Sequence, residues 1–500
     1  MQSASVAERI LSVCVVLAAA GLLAAEKAPL FTLDFAKEKG HVRRLNGMCN
    51  TAKINNICNP TADALPDFKE LEIPITHYHD DALVNPGYAL VDVSRIFPLF
   101  RADENDPRNY DFGPTDMYVK RTLEIGSEIQ YRLGESIEHC GCPFRARPPA
   151  DREKWTRICL NIIRHYNEGW ADGYHYNIRR WVIWEEPNGP KTFASENSFE
   201  DYTALYATVA PAIKRAFPDV LVGGPTVSGW CEWADDFVKF CRDRKLPLDF
   251  FTWDQYTDSP EEIADRVVDF RKMLDSFGFG KSGMHIAEWH LRPKNWHVLQ
   301  GAWTPEMKQM EEDRLTGVDA AALASGTLSY LQDFPIDGMT YYNAVGPNWG
   351  VMSGRGREKR PSWYVFKAFA LLAAKGEAVR IDVPSKPCPG TYLLASVHGG
   401  KGYLLVTRFF NAEDFTFAVA GRAVPARISV IDATRNLEEA DVMTGNWLWD
   451  GDARTISVVP SAGCASSIWF CEFDLSGNSA VPPSRCVVRR KPKGAAENGN

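Results

Sequence analysis

The sequence predicts an eight-stranded parallel β/α barrel, a (β/α)8 TIM barrel, followed by a smaller antiparallel β-sandwich. Three observations carry this expectation. Between about residue 40 and residue 370, short apolar runs alternate with longer segments of helical periodicity. That pattern implies parallel strands joined by right-handed helical crossovers. Eight such runs can be counted, at 45–48, 71–79, 128–133, 181–184, 220–223, 248–253, 284–287 and 338–342. After about Lys375 the helical segments give out, and strand-like runs at 392–397, 402–409, 415–418, 427–432 and 466–473 follow one another across turns.

Two helices between the strands carry clear signals. Ser259 offers an N-cap, Pro260 a first helical residue and Glu262 a capping-box partner. Ile263, Val267, Phe270 and Leu274 then recur at helical spacing, and Gly278 is a plausible stop. A second helix is expected to start after Ser198 and to bury Tyr202, Leu205, Tyr206, Val209 and Ile213, with a kink at Pro211. The strand-like segment at 30–36 is a candidate to pair with the sandwich rather than the barrel.

Length and composition set the frame. Five hundred residues exceed what one compact core needs, so a large and a small unit are expected. Hydrophobic residues at 45% and charged residues at 24% are ordinary for a soluble protein. A net charge of -8 argues against a nucleic-acid or anionic-membrane partner, which calls for a basic surface. Arg9 followed by an apolar run to Ala25 reads as a signal peptide over 1–25, and implies a secreted or periplasmic protein. The rival is a membrane anchor, but the run falls short of the ~20 residues a span needs. The expected layout is then a barrel over 26–375, a sandwich over 376–481 and a disordered tail over 482–500.

Of 12 Cys, one lies in that leader; Cys49 and Cys58 could close a small loop, and Cys140 and Cys142 could pair elsewhere. No spacing matches a paired zinc-binding motif, so no metal or other cofactor is expected.

Reactive groups of a β/α barrel sit at the C-terminal ends of its strands. Two carboxylates match. The run at 180–184 stops at Glu185-Glu186-Pro187-Asn188, and the run at 284–287 stops at Glu288-Trp289-His290. Glu186 and Glu288 lie 102 positions apart. At roughly 31 residues per strand–helix unit, about three units separate them. That places them on the fourth and seventh strands, across the pocket from each other, as glycoside hydrolysis requires of its two carboxyls. The plainer alternative is that hydrophilic residues are common at strand ends.

The order and spacing of several motifs add to this. Lys154-Trp155, the run at 162–166, Trp184-Glu185-Glu186-Pro187-Asn188, Val222-Gly223-Gly224-Pro225, the run at 249–253, Ile286-Ala287-Glu288-Trp289 and Pro361-Ser362-Trp363-Tyr364 together resemble family 39 glycoside hydrolases of clan A. That family includes β-xylosidases and α-L-iduronidases. The resemblance covers roughly residues 30–375. It implies a retaining mechanism, with Glu186 as acid/base and Glu288 as nucleophile.

The chain departs from the family pattern around the sugar. Glu185 stands where the family has Asn, and His77-Tyr78-His79 where it has Arg-x-His. Asp254-Gln255-Tyr256 replaces a stretch that commonly carries His, and Tyr342 takes the place of a Trp. Glu185, His77, His79, Asp254, Tyr256, Trp289, Tyr342 and Trp349 are the expected substrate-binding residues. So many carboxylates disfavour an acidic sugar. His77, His79, Asp80, Glu185 and Asp254 could also surround a divalent metal, but a hydrogen-bonded polar shell is the preferred reading. His165 and His175 are expected to be packing or surface residues. Two further readings stay open: a non-catalytic glycan-binding protein on the same barrel, and a metal-dependent hydrolase.

Overall fold

The computed structural model describes residues 28–51, 63–80, 89–138, 140–229, 232–294, 304–353, 358–439, 447–459 and 464–477. The expected leader, Cys58 and the expected tail lie outside the described residues.

Eight parallel strands close into a barrel. In order they are Gly47–Cys49, Ile75–His77, Glu128–Leu133, Arg180–Ile183, Leu221–Ser228, Phe250–Thr257, Gly283–Leu291 and Gly338–Tyr341. Each overlaps one apolar run of the sequence, and the eighth pairs back onto the first to close the ring. Gly47 permits that closure, because a Cβ there would sit 2.4 Å from the Met339 carbonyl.

The helices follow their local signals, with two differences. Ser259 caps helix Pro260–Ser276 by accepting from the Glu262 amide. The Glu262 carboxylate does not return to close the capping box. It is drawn instead to Arg292 at 2.6 Å and to the Thr257 hydroxyl at 2.8 Å. Helix Ser198–Ala216 buries all five expected apolar residues and runs through Pro211 as one element. His165 is a packing residue as expected, stacked on Phe112 and hydrogen-bonded to the Trp170 carbonyl, and His175 is exposed.

The C-terminal region forms two sheets. Four strands run in the order Thr32–Leu33, Phe415–Val419, Thr455–Val458, Trp447–Asp450. Seven run in the order Asn436–Glu439, Val424–Ile431, Ser467–Asp474, Lys401–Arg408, Thr391–His398, Val379–Ile381, Glu38–His41. Two N-terminal strands therefore belong to these sheets, not to the barrel.

Alternation along the central strands explains the layering. Leu393, Ala395, Trp469, Cys471 and Phe473 fill the core between the sheets. Leu394, Leu405, Ile468 and Phe470 face the other way and join the barrel's own core. Between them lies helix Val318–Tyr330, in which every residue from Ala320 to Ser329 is buried.

Among the described residues no disulfide forms. Cys140 and Cys142 are exposed thiols, and Cys49 is buried with its Sγ donating to the Ala287 carbonyl. No helix among them is long and apolar enough to cross a membrane.

Candidate active site

Glu186 and Glu288 both stand at the barrel mouth, just past the fourth strand and near the end of the seventh. The backbone turns sharply at Glu186, which has a φ of 41°. Its amide donates to the Thr226 carbonyl at 2.9 Å, and its carbonyl accepts from the Thr192 hydroxyl. Burial, and then the charge of Glu288, push the Glu186 carboxyl up to about 7, against a hydrogen bond from Ser228 that pulls it down.

Glu288 sits in a different environment. The Tyr256 hydroxyl donates to its Oε2 at 2.8 Å, and His79 Nε2 lies 3.0 Å from its Oε1. The other nitrogen of His79 pairs with Asp80 at 2.9 Å. Burial works against a charged imidazole here, but the Glu288 and Asp80 charges outweigh it and hold His79 well above its ordinary value. Glu288 is thus held between an imidazole and a hydroxyl.

Asp80 is fixed in turn by the Tyr342 hydroxyl at 3.1 Å and by Asn50 Nδ2 at 3.2 Å, while Asn50 also accepts from the His79 amide. Arg132, paired with Asp92, donates to the His79 carbonyl at 2.7 Å. Asn50, Gln130, Arg132 and Ser228 were not singled out in the sequence. Gln130 and Arg132 could have been, since polar residues at alternate positions of a buried strand must meet partners inside the barrel.

Six of the eight expected substrate-binding residues gather around the two carboxyls. Glu185, His79, Asp254, Tyr256 and Tyr342 lie around them, and the Trp349 ring stands 5.4 Å from that of Tyr256 and 6.3 Å from that of Tyr342. The other two stand elsewhere. Trp289 follows Glu288 on an extended strand and so points the opposite way; it is fully buried against Tyr341 at 4.9 Å, in the helix layer. His77 is fully buried with both ring nitrogens engaged. Its Nδ1 accepts from Gln130 Nε2 at 3.1 Å, which leaves Nε2 to donate to the Glu185 carboxylate at 3.1 Å. It supports Glu185 and does not face open space.

His79, Glu185 and Glu288 each offer one donor atom within 4.8 Å of one another, a separation at which a cation could be held. Every one of these donors already has a protein partner, since His79 pairs with Glu288 and Glu185 with His77. The arrangement is that of paired acids and bases.

Fold and site together define a β/α-barrel protein with a two-carboxylate centre at its mouth. Comparison with known proteins narrows the class. Residues 83–276 match the model of glycosyl hydrolases family 39. The chain is similar to a β-xylosidase of Geobacillus stearothermophilus, at 27% identity over 46% of this chain and 45% of that one. It is likewise similar to a β-xylosidase of Caldicellulosiruptor saccharolyticus, at 31% identity over 47% and 46%. The matched region thus spans about half the length of these curated relatives.

Among solved structures, a glucosidase from Croceicoccus marinus superposes with a TM-score of 0.68 at 18% identity, over 89% of this chain and 98% of that one. The family 39 enzyme of Xanthomonas axonopodis pv. citri does so with a TM-score of 0.64 at 17% identity, over 91% and 100%. The likeness to glycosyl hydrolase family 39 thus rests on residues 83–276, and the likeness to the solved structures shows the fold.

Proposed function

We propose that this protein is a retaining glycoside hydrolase acting on an oligo- or polysaccharide, with Glu186 as acid/base and Glu288 as nucleophile. One observation carries the reading: the two carboxyls occupy opposed environments. Glu186 is pushed up to about 7 by burial and by its neighbour's charge. Glu288 is held by His79 and by the Tyr256 hydroxyl. Pairs whose surroundings separate them in this way divide into an acid and a nucleophile.

In the first step Glu288 attacks the anomeric carbon and forms an ester bond to it. The bond from that carbon to the leaving oxygen breaks, and the Glu186 proton passes to that oxygen. In the second step the Glu186 carboxylate takes a proton from water, the water oxygen bonds to the anomeric carbon, and Glu288 leaves as carboxylate. The β-xylosidase and glucosidase relatives make neutral pyranosides the first substrates to try.

The test is azide rescue on an activated aryl glycoside. Glu186→Ala and Glu288→Ala should each lower turnover by at least about 10²-fold, and azide should restore it. The Glu186 variant should release glycosyl azide of retained configuration, and the Glu288 variant the inverted anomer. Full activity in either variant without azide would overturn the assignment. The cluster of His79, Glu185 and Glu288 also admits a metal-dependent reaction; that reading requires activity to be lost on treatment with chelator and regained with a divalent cation.

A further inference from the structure

Asp254 stands on the sixth strand, register-paired with Glu288 on the seventh. Alternation decides which way it points. Trp253 Nε1 donates to Gln255 Oε1 at 3.1 Å, and Gln255 Nε2 donates to the Glu262 carbonyl on the next helix at 2.9 Å. Positions 253 and 255 therefore face the helix layer. Tyr256 faces inward, since its hydroxyl reaches Glu288, and Asp254 shares that face.

The Asp254 carboxyl is 1% exposed, and neither of its oxygens has a hydrogen-bond partner among the described residues. The groups that act on it are Glu288 from the seventh strand, Glu185 and Glu186 past the fourth, and His79 past the second. His79 is already shared between Asp80 and Glu288. A buried polar group without a partner is costly, and native structures keep one where a ligand completes it.

We propose that Asp254 is a further substrate-contacting residue: as the neutral acid it donates one hydrogen bond to, and accepts another from, hydroxyls of the sugar held between Glu186 and Glu288. It thereby selects uncharged glycosides over uronic ones. The inference rests on the glycosidase reading above. Burial, followed by the charges of Glu288, Glu185 and Glu186, holds the Asp254 carboxyl well above its ordinary value, which supports the neutral form. A uronic carboxylate would have to enter beside these same carboxyls, with His79 already shared between Asp80 and Glu288, whereas a hydroxyl both gives and takes a hydrogen bond.

The experiment compares Asp254→Leu with Asp254→Asn, because an amide imitates a protonated acid and cannot imitate a carboxylate. On 4-nitrophenyl xyloside and glucoside of each anomer, Asp254→Leu should lower kcat/KM about 100-fold, and Asp254→Asn less than about tenfold. The wild type should show little turnover of the matching glucuronide. The same pair of substitutions in a Glu288→Gln background, titrated calorimetrically with xylose, glucose and glucuronic acid, reads the contact without turnover. An Asn variant as impaired as the Leu variant, a Leu variant equal to wild type, or a preference for glucuronic acid would each overturn the proposal. Full activity of the Glu288→Gln variant would instead overturn the glycosidase reading, so the two failures are distinguishable.

Discussion

At the residue scale the site depends on how each carboxyl is held. Tyr256→Phe removes one hydrogen bond from Glu288 and leaves the ring in place beside Trp349. A hydrogen bond to a charged group contributes about 1.5–3 kcal/mol, so kcat/KM should fall about 10- to 100-fold, as read by steady-state kinetics on an aryl glycoside. In the proposed mechanism Glu186 sets the pH dependence. An acid that must be protonated loses its function as pH rises through its pKa, and burial beside Glu288 puts that point at about 7. The rate should therefore decline above about pH 7, and the decline should vanish in Glu186→Gln assayed on a substrate whose leaving group needs no proton. The positions of Glu186 and Glu288 were legible because each stands just past an apolar run. The roles of His77 and Trp289 were not. His77 is committed to Gln130 and Glu185, which lie 53 and 108 positions away, and the Trp289 ring turns to the helix layer, so neither environment is written locally.

At the scale of elements, the barrel was the most readable part. A strand buried on both faces must be apolar along its length, and a strand end at the mouth must be polar, so each of the eight announces itself. The third was legible to its last residue, at Glu128–Leu133. The strands Glu38–His41, Val379–Ile381, Asn436–Glu439, Trp447–Asp450 and Thr455–Val458 escaped notice. The first of these is exposed throughout and polar, and owes its conformation to pairing with Val379–Ile381, not to its own residues. Helix Pro260–Ser276 shows what a local signal is worth. Its Ser259 side chain accepts from the Glu262 amide, and with the capping box left open that bond is the side chain's whole contribution. Ser259→Ala should destabilise the protein by about 1 kcal/mol without changing kcat, as measured by denaturant unfolding alongside kinetics.

At the scale of the molecule, the barrel's core continues onto one face of the seven-stranded sheet. The Ser325 hydroxyl meets that of Thr407 at 2.6 Å, the Ser466 hydroxyl donates to Asp319, and the Tyr392 hydroxyl donates to Glu261. Gly326 allows the approach, since a Cβ there would lie 2.8 Å from the Tyr392 ring. A chain ended at residue 375 should therefore fail to give a soluble, cooperatively folding barrel, and the whole chain should unfold in one calorimetric transition. A well-folded, active truncated barrel would contradict this. The helix from Val318 to Tyr330 also bears on the order in which the protein is made. Its covering strands Thr391–His398 and Lys401–Arg408 leave the ribosome about 60 residues later, and Ser467–Asp474, which fits between Lys401–Arg408 and Val424–Ile431, comes near the end of the described chain. Until that strand emerges the growing chain carries an uncovered apolar helix, so Glu186 and Glu288, synthesised long before, wait on the last strand of a sheet to which neither belongs.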